Sequence, residues 1–133
     1  MRVALCQLPV SSDPSVNLGR VKAAVADAAA AGANLAVFPE GMQARFGTDL
    51  AAAAEATDGA FGQGLSEAAG GHGVAVVAGV FEPAPGGRVY NTAVAFDAGG
   101  AWPRHTGRST CSTRSATGSP TRSFPATSRS SPN

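Results

Sequence analysis

Asn34-Leu35-Ala36-Val37-Phe38-Pro39-Glu40-Gly41 decides how this chain folds. Leu35–Phe38 is an unbroken apolar run, the pattern of a parallel strand covered on both faces. It ends at Pro39, which cannot donate to a ladder, and then at a carboxylate. Upstream, Arg2–Gln7 (RVALCQ) is a second short apolar run that leaves its sheet at Pro9. Between the two runs, Ser11, Ser12 and Asp13 offer N-cap oxygens, and Pro14 suits a first helical turn. Apolar residues then recur from Val16 at Leu18, Val21, Ala24, Val25 and Ala28, and Gly32 is the natural stop. Strand, helix and strand in this order predict a βαβ unit.

Downstream, a loop runs through Gly47, and Asp49 is placed to cap a short Ala-rich helix. Phe61–Ala69 reads as a further helix, ended by Gly70, Gly71 and Gly73. Val74–Phe81 (VAVVAGVF) and Val89–Phe96 (VYNTAVAF) are strands separated by a turn over Pro83–Gly87, close enough to predict an antiparallel hairpin. The sheet is therefore expected to be mixed. Ala98-Gly99-Gly100 begins another turn that calls for a partner strand.

Near Ala101 the composition changes. Residues 1–101 carry all nine acidic residues and five basic ones; residues 102–133 carry five Arg, no Asp or Glu, and no Val, Leu, Ile or Met. The net charge of +1 thus divides into −4 on the body and +5 on the tail. Ser, Thr, Arg and Pro fill 23 of the last 32 positions. Without aliphatic side chains a segment cannot offset its ordering entropy by burial, so residues 102–133 are expected to be disordered and to supply no strand. One small α/β domain over residues 1–101 is the ceiling at this length.

The same numbers exclude several classes. The near-neutral charge gives no reason to invoke nucleic acid, and Arg scattered among Ser and Thr reads as solvated chain. No apolar run approaches the ~20 residues of a membrane span. Val3-Ala4-Leu5-Cys6 faintly resembles a lipoprotein box, but no charged leader precedes it. A cytoplasmic protein with no cofactor is the default expectation. Two cysteines, Cys6 and Cys111, make neither a disulfide framework nor a metal site.

Glu40 stands out chemically. It lies just past the C-terminal end of a predicted strand, the edge where open α/β sheets place their ligand sites, and a carboxylate there suits general-base work. The plainer alternative is a solvent-facing turn residue. His72 lacks a second ligand at metal spacing, and Gly70-Gly71-His72-Gly73 leads into a strand rather than a helix, unlike a dinucleotide fingerprint. Gly107-Arg108-Ser109-Thr110 has the end of a phosphate-binding loop without its earlier Gly or Lys. Cys6, flanked by apolar residues, reads as an inert core thiol. Tyr90 and Asn91 either shape a pocket or, in the case of Asn91, satisfy nearby backbone groups.

Taken together, Val3–Leu8 (VALCQL), Asn17, Asn34–Gly41 (NLAVFPEG), Val74–Phe81 and Val89–Asp97 (VYNTAVAFD) resemble the first part of a carbon–nitrogen hydrolase of the nitrilase superfamily. The resemblance covers residues 1–101 in order and spacing, about two-fifths of a typical member. It implies the N-terminal part of an α-β-β-α sandwich, an amide, nitrile or carbamoyl substrate, and a Glu–Lys–Cys triad. Members commonly associate through the sandwich, which makes a homo-oligomer one option and leaves the oligomeric state open. Glu40 matches the family's glutamate, the general base that would deprotonate the cysteine and later activate water. The family's lysine lies in a Tyr-Arg-Lys-x-His-Leu segment after the strand that ends at Asp97, yet the only lysine here is Lys22. Neither Cys6 nor Cys111 matches the nucleophile.

The tail offers a reason. Back-translated with permitted codons and read one nucleotide out of register, the stretch from His105 can encode Y-R-K-V-H-L. It continues with Leu or Phe, Asp or Tyr, any residue, F-G, Tyr or His, and R-E-S-D. That is the family's lysine segment and its continuation, so a one-nucleotide frameshift close to Ala101 is expected. A chain so altered would be inactive, leaving a non-catalytic fragment or a small partner-binding α/β domain as the alternative.

Overall fold

In a computed structural model, the chain is described over residues 1–102 and, as backbone, over residues 108–111. Strand β1 (Val3–Leu5) leads to helix α1 (Pro14–Ala30), β2 (Leu35–Val37), a short α2 (Leu50–Ala53) and α3 (Ala60–His72). Strands β3 (Ala75–Ala84), β4 (Arg88–Phe96) and β5 (Arg108–Cys111) complete the sheet. The order is β1-β2-β3-β4-β5, with β1, β2 and β3 parallel and β3, β4 and β5 antiparallel. The mixed sheet, the βαβ unit and the hairpin expected from the sequence are all present.

Local chemistry explains the boundaries. Asp13 caps α1, its carboxylate accepting the Ser15 hydroxyl at 2.7 Å and the Ser15 N–H at 2.8 Å, and these bonds hold the Asp13 carboxyl below its ordinary value. Gly32 leaves α1 at φ 74°. Asp49 caps α2 through the Ala52 N–H at 3.1 Å. The first N–H groups of α3 are taken by Glu55, which accepts from Ala60 at 3.0 Å and Phe61 at 2.6 Å.

The helix α3 departs from expectation by continuing through Gly70 and Gly71 to His72, with only Gly73 left-handed, at φ 65°. Gly70 serves packing instead: a Cβ there would stand 3.0 Å from the Gly99 carbonyl oxygen. The expectation that the tail supplies no strand is also corrected. The backbone of Arg108–Cys111 pairs with Val89–Thr92, because a ladder needs only N–H and C=O groups, which Ser, Thr and Cys provide as well as Val. Trp102, assigned to the tail, packs edge-on against Phe96 at 4.8 Å between ring centroids.

The two faces of the sheet differ. Ala36, Val76, Ala78, Val94 and Phe96 point to one side and are buried against Val21 and Val25 of α1 and Leu65 and Ala69 of α3. On the other side, α2 and the segment before it cover only one end, where Ala44, Leu50, Phe81 and Val89 form a smaller cluster. Across the remainder Leu5, Val37, Val77 and Ala95 stand in one row over four strands, none of them buried. Leu5 is 80% exposed.

Candidate active site

Glu40 lies on this second, open face. The Phe38 N–H donates to the Val77 carbonyl at 2.8 Å, continuing the β2–β3 ladder past the end of β2. Next, the Gly79 N–H donates to the Pro39 carbonyl at 3.2 Å, and the Met42 N–H donates to the Gly79 carbonyl at 3.0 Å. Between those two bonds Glu40 and Gly41 loop out over Gly79. A side chain at 79 has no room: a Cβ would stand 2.4 Å from the Glu40 Cα. Gly41 is left-handed at φ 69° and packs under the Phe46 ring, which meets Phe81 edge-on at 5.5 Å.

Buried amides secure the segment that follows. Gln43 accepts the Phe81 N–H at 2.9 Å and donates to the Ala53 carbonyl at 2.8 Å and the Glu55 carboxylate at 3.3 Å. Asn17 donates to the Gln43 carbonyl at 3.0 Å and to the Ser11 carbonyl at 2.8 Å, and accepts the Ser11 N–H at 2.8 Å. Both are essentially fully buried and fully bonded, which makes them specifying rather than costly. Asn17 ties α1 to the segment that carries Glu40.

The Glu40 carboxylate is exposed, and its Oε2 accepts a hydrogen bond from the Asn91 side-chain amide at 2.7 Å. Asn91 lies on β4, opposite Phe81 of β3 and Ser109 of β5. The sequence left Asn91 between pocket and backbone roles; the geometry gives it to Glu40. Tyr90 belongs to the opposite face, as alternation along a strand requires. Gly79 and Gln43 were not singled out by the sequence, although a lone Gly inside an apolar strand is a known sign of close backbone approach.

Of the other candidates, Cys6, His72 and Lys22 lie apart from Glu40. Cys6 packs with the helix-covered core, and burial pushes its thiol up, keeping it protonated at neutral pH. Cys111 lies on β5, with its side chain outside the described residues, and Gly107 is outside them too. Arg108–Thr110 forms strand rather than the start of a helix, which separates it from phosphate-binding loops. His72 is exposed at the end of α3. Lys22 is 3.0 Å from Glu67 in an ion pair between α1 and α3, on the helical layer. Among the described residues no His, Cys, Asp and Glu cluster could hold a metal, and no helix is long and apolar enough to cross a membrane. A cleft of about 300 Å³ beside Thr57, Gln63, Ser66, Phe96 and Trp102 does not include Glu40.

Comparison with known proteins bears on the family and the fold. The carbon–nitrogen hydrolase family model matches residues 2–115. An amidase from Nesterenkonia sp. superposes with a TM-score of 0.67 at 28% identity, over 77% of this chain and 40% of that one. A mutant of the Nesterenkonia AN1 amidase, of the nitrilase superfamily, gives 0.69 at 26% identity, over 81% and 42%. The C. elegans NitFhit protein shares the fold with a TM-score of 0.70 at 21% identity, over 80% of this chain and 27% of its own. The chain therefore spans about two-fifths of the length of the amidases. No curated protein matches.

Proposed function

The chain belongs to the carbon–nitrogen hydrolase family, and from that premise we propose that it derives from an amidase-type hydrolase in which Glu40 is the general base. The observation that carries this reading is the Glu40 carboxylate itself, held at the end of β2 over Gly79 on the open face and bonded to Asn91. A base must be oriented and reachable before its basicity matters, and Glu40 is both.

In the complete reaction, Glu40 takes the proton of a cysteine thiol and the thiolate attacks the carbon of a small amide. A lysine ammonium stabilises the oxyanion, and Glu40 passes the proton it took to the leaving nitrogen so that ammonia departs. Glu40 then deprotonates the water that cleaves the thioester to the acid and returns that proton to the cysteine sulfur. Small amides are the favoured substrates, since mutants of the Nesterenkonia amidase have been captured with acrylamide and with butyramide. Nitriles and carbamoyl compounds react by the same attack.

Among the described side chains, one of the three groups stands on the open face. Lys22 is engaged with Glu67 on the helical layer, and Cys6 faces the helices rather than Glu40. Loss of a nucleophile that works as part of a unit costs about a millionfold in a comparable triad, so the 133-residue chain is expected to show no turnover. The shifted reading of residues after Ala101 accounts for the missing lysine as a one-nucleotide frameshift.

Ammonia release from butyramide and acrylamide tests both statements. The chain as it stands is expected to be silent, and the product of the frame-restored gene active, with Glu40→Gln abolishing that activity. Silence of the restored product toward amides, nitriles and carbamoyl compounds ends the hydrolase reading. A DNA read that confirms the present frame, with no lysine segment in the alternate one, ends the frameshift. The second reading, a non-catalytic partner-binding fragment, draws on the open apolar face. Size-exclusion chromatography separates a monomer from self-association there.

A further inference from the structure

Gly79 decides where the Glu40 backbone lies, but not where its carboxylate points. An exposed glutamate on a turn has three rotatable bonds, and one hydrogen bond to a mobile partner would not restrain them. Asn91 is not such a partner. It sits on β4 with ladders on both sides, to Phe81 and to Ser109, so its Cα is fixed relative to the strand that seats Glu40. Its side chain has only two torsions to settle. A carboxylate is an acceptor only, so Asn91 must present its NH2 to the 2.7 Å contact with Oε2. Among the described residues Oε1 has no such bond, which leaves that oxygen for a proton.

We propose that Asn91 is a positioning residue for Glu40: its side-chain amide engages Oε2 and locks the carboxylate rotamer, presenting Oε1 over the open sheet face as the proton-accepting oxygen. This rests on the reading of Glu40 as the base and adds how that base is aimed. A group that must take a thiol proton and later a water proton returns to the same geometry twice per turnover, and a rigid second-residue contact secures it. Asn suits the position because it donates without charge. Asp would set two carboxylates against each other, and an apolar residue of equal size would leave Glu40 free to rotate.

The test reads geometry rather than turnover, in the full chain. Three-bond NMR couplings about Glu40 χ1 and χ2 are expected to report one dominant rotamer in the wild type. In Asn91→Leu they are expected to average over the staggered wells, with the thermal midpoint recorded alongside. Since Asn91 lies on an interior strand, Glu40→Ala supplies a reciprocal reading at an exposed position. There the bonded Asn91 Nδ2 proton is expected to shift upfield and to exchange with solvent several-fold faster. A Glu40 side chain already averaged in the wild type overturns the proposal, as does an Asn91 amide unchanged by Glu40→Ala. A frame-restored enzyme that is silent while Glu40 is locked condemns the hydrolase reading alone. An active one with a freely rotating Glu40 condemns the positioning role alone.

Discussion

The two faces of the sheet are built from the same residue types and have opposite fates. Ala36, Val76, Ala78 and Val94 are sealed under α1 and α3, while Val37, Val77 and Ala95, one residue along the same strands, and Leu5 beside Val37 on β1 are not buried. An apolar row left open on a sheet normally marks a surface that another layer covers. Here it is also the face that bears Glu40. The helix-covered side therefore supplies stability, and the open side carries the proposed base.

Substitutions on either side can break that contrast, and the helix side should respond most. Leu65→Ala removes a fully buried side chain from the α3 contact and is expected to destabilise by about 2–5 kcal/mol in chemical denaturation. At the junction of the faces, Gln43→Leu strips the acceptor from the buried Phe81 N–H. A loss of roughly 1–3 kcal/mol is expected by the same measurement. Gly79→Ala drives a methyl into the Glu40 backbone and is expected to cost about 1–3 kcal/mol, in the range of overpacking. NMR shifts should also move at Glu40 and Gly41, which a uniform weakening would not produce.

Acid sharpens the helix side further. The Asp13 carboxyl is lowered chiefly by its bond with the Ser15 hydroxyl, so its cap contribution is present above the ordinary value of 3.8. That contribution is lost as pH falls through the lowered folded value, and amide exchange in the first turn of α1 should speed up there before the sheet melts. On the open face, Leu5→Ser should leave stability within about 0.5 kcal/mol, as exposed positions do. Its effect belongs instead to light scattering, which should fall at high protein concentration. A large loss of stability from Leu5→Ser would mean that the open face is covered in solution.

Much of this was legible residue by residue. Asp13, Pro14 and Gly32 bound α1 because capping and left-handed geometry are local, and the run Leu35–Val37 is a strand wherever it is placed. Glu40 was legible as a candidate because a carboxylate after a strand and a proline has a restricted set of positions. Asn91 was ambiguous, since a strand Asn has the same local meaning whether it meets a backbone or a carboxylate 51 positions away. Gly70 misled for a related reason: glycine marks both helix ends and close approaches, and only the Gly99 carbonyl beside it shows which one applies.

The composition break near Ala101 was read correctly as a loss of aliphatic side chains, but not as a loss of pairing. Arg108–Cys111 extends the sheet because ladder bonds are made by backbone that every residue except proline carries. The sequence by itself determined β1 to β4, the helices between them and the mixed sheet, since each follows from local periodicity and stereochemistry, and its resemblance to a known family marked Glu40 as the candidate base. Only the tertiary structure decided that Gly79 seats Glu40, that Asn91 meets its carboxylate, and that Lys22 and Cys6 belong to the other face. Those facts depend on register between strands distant in sequence, which no single segment encodes.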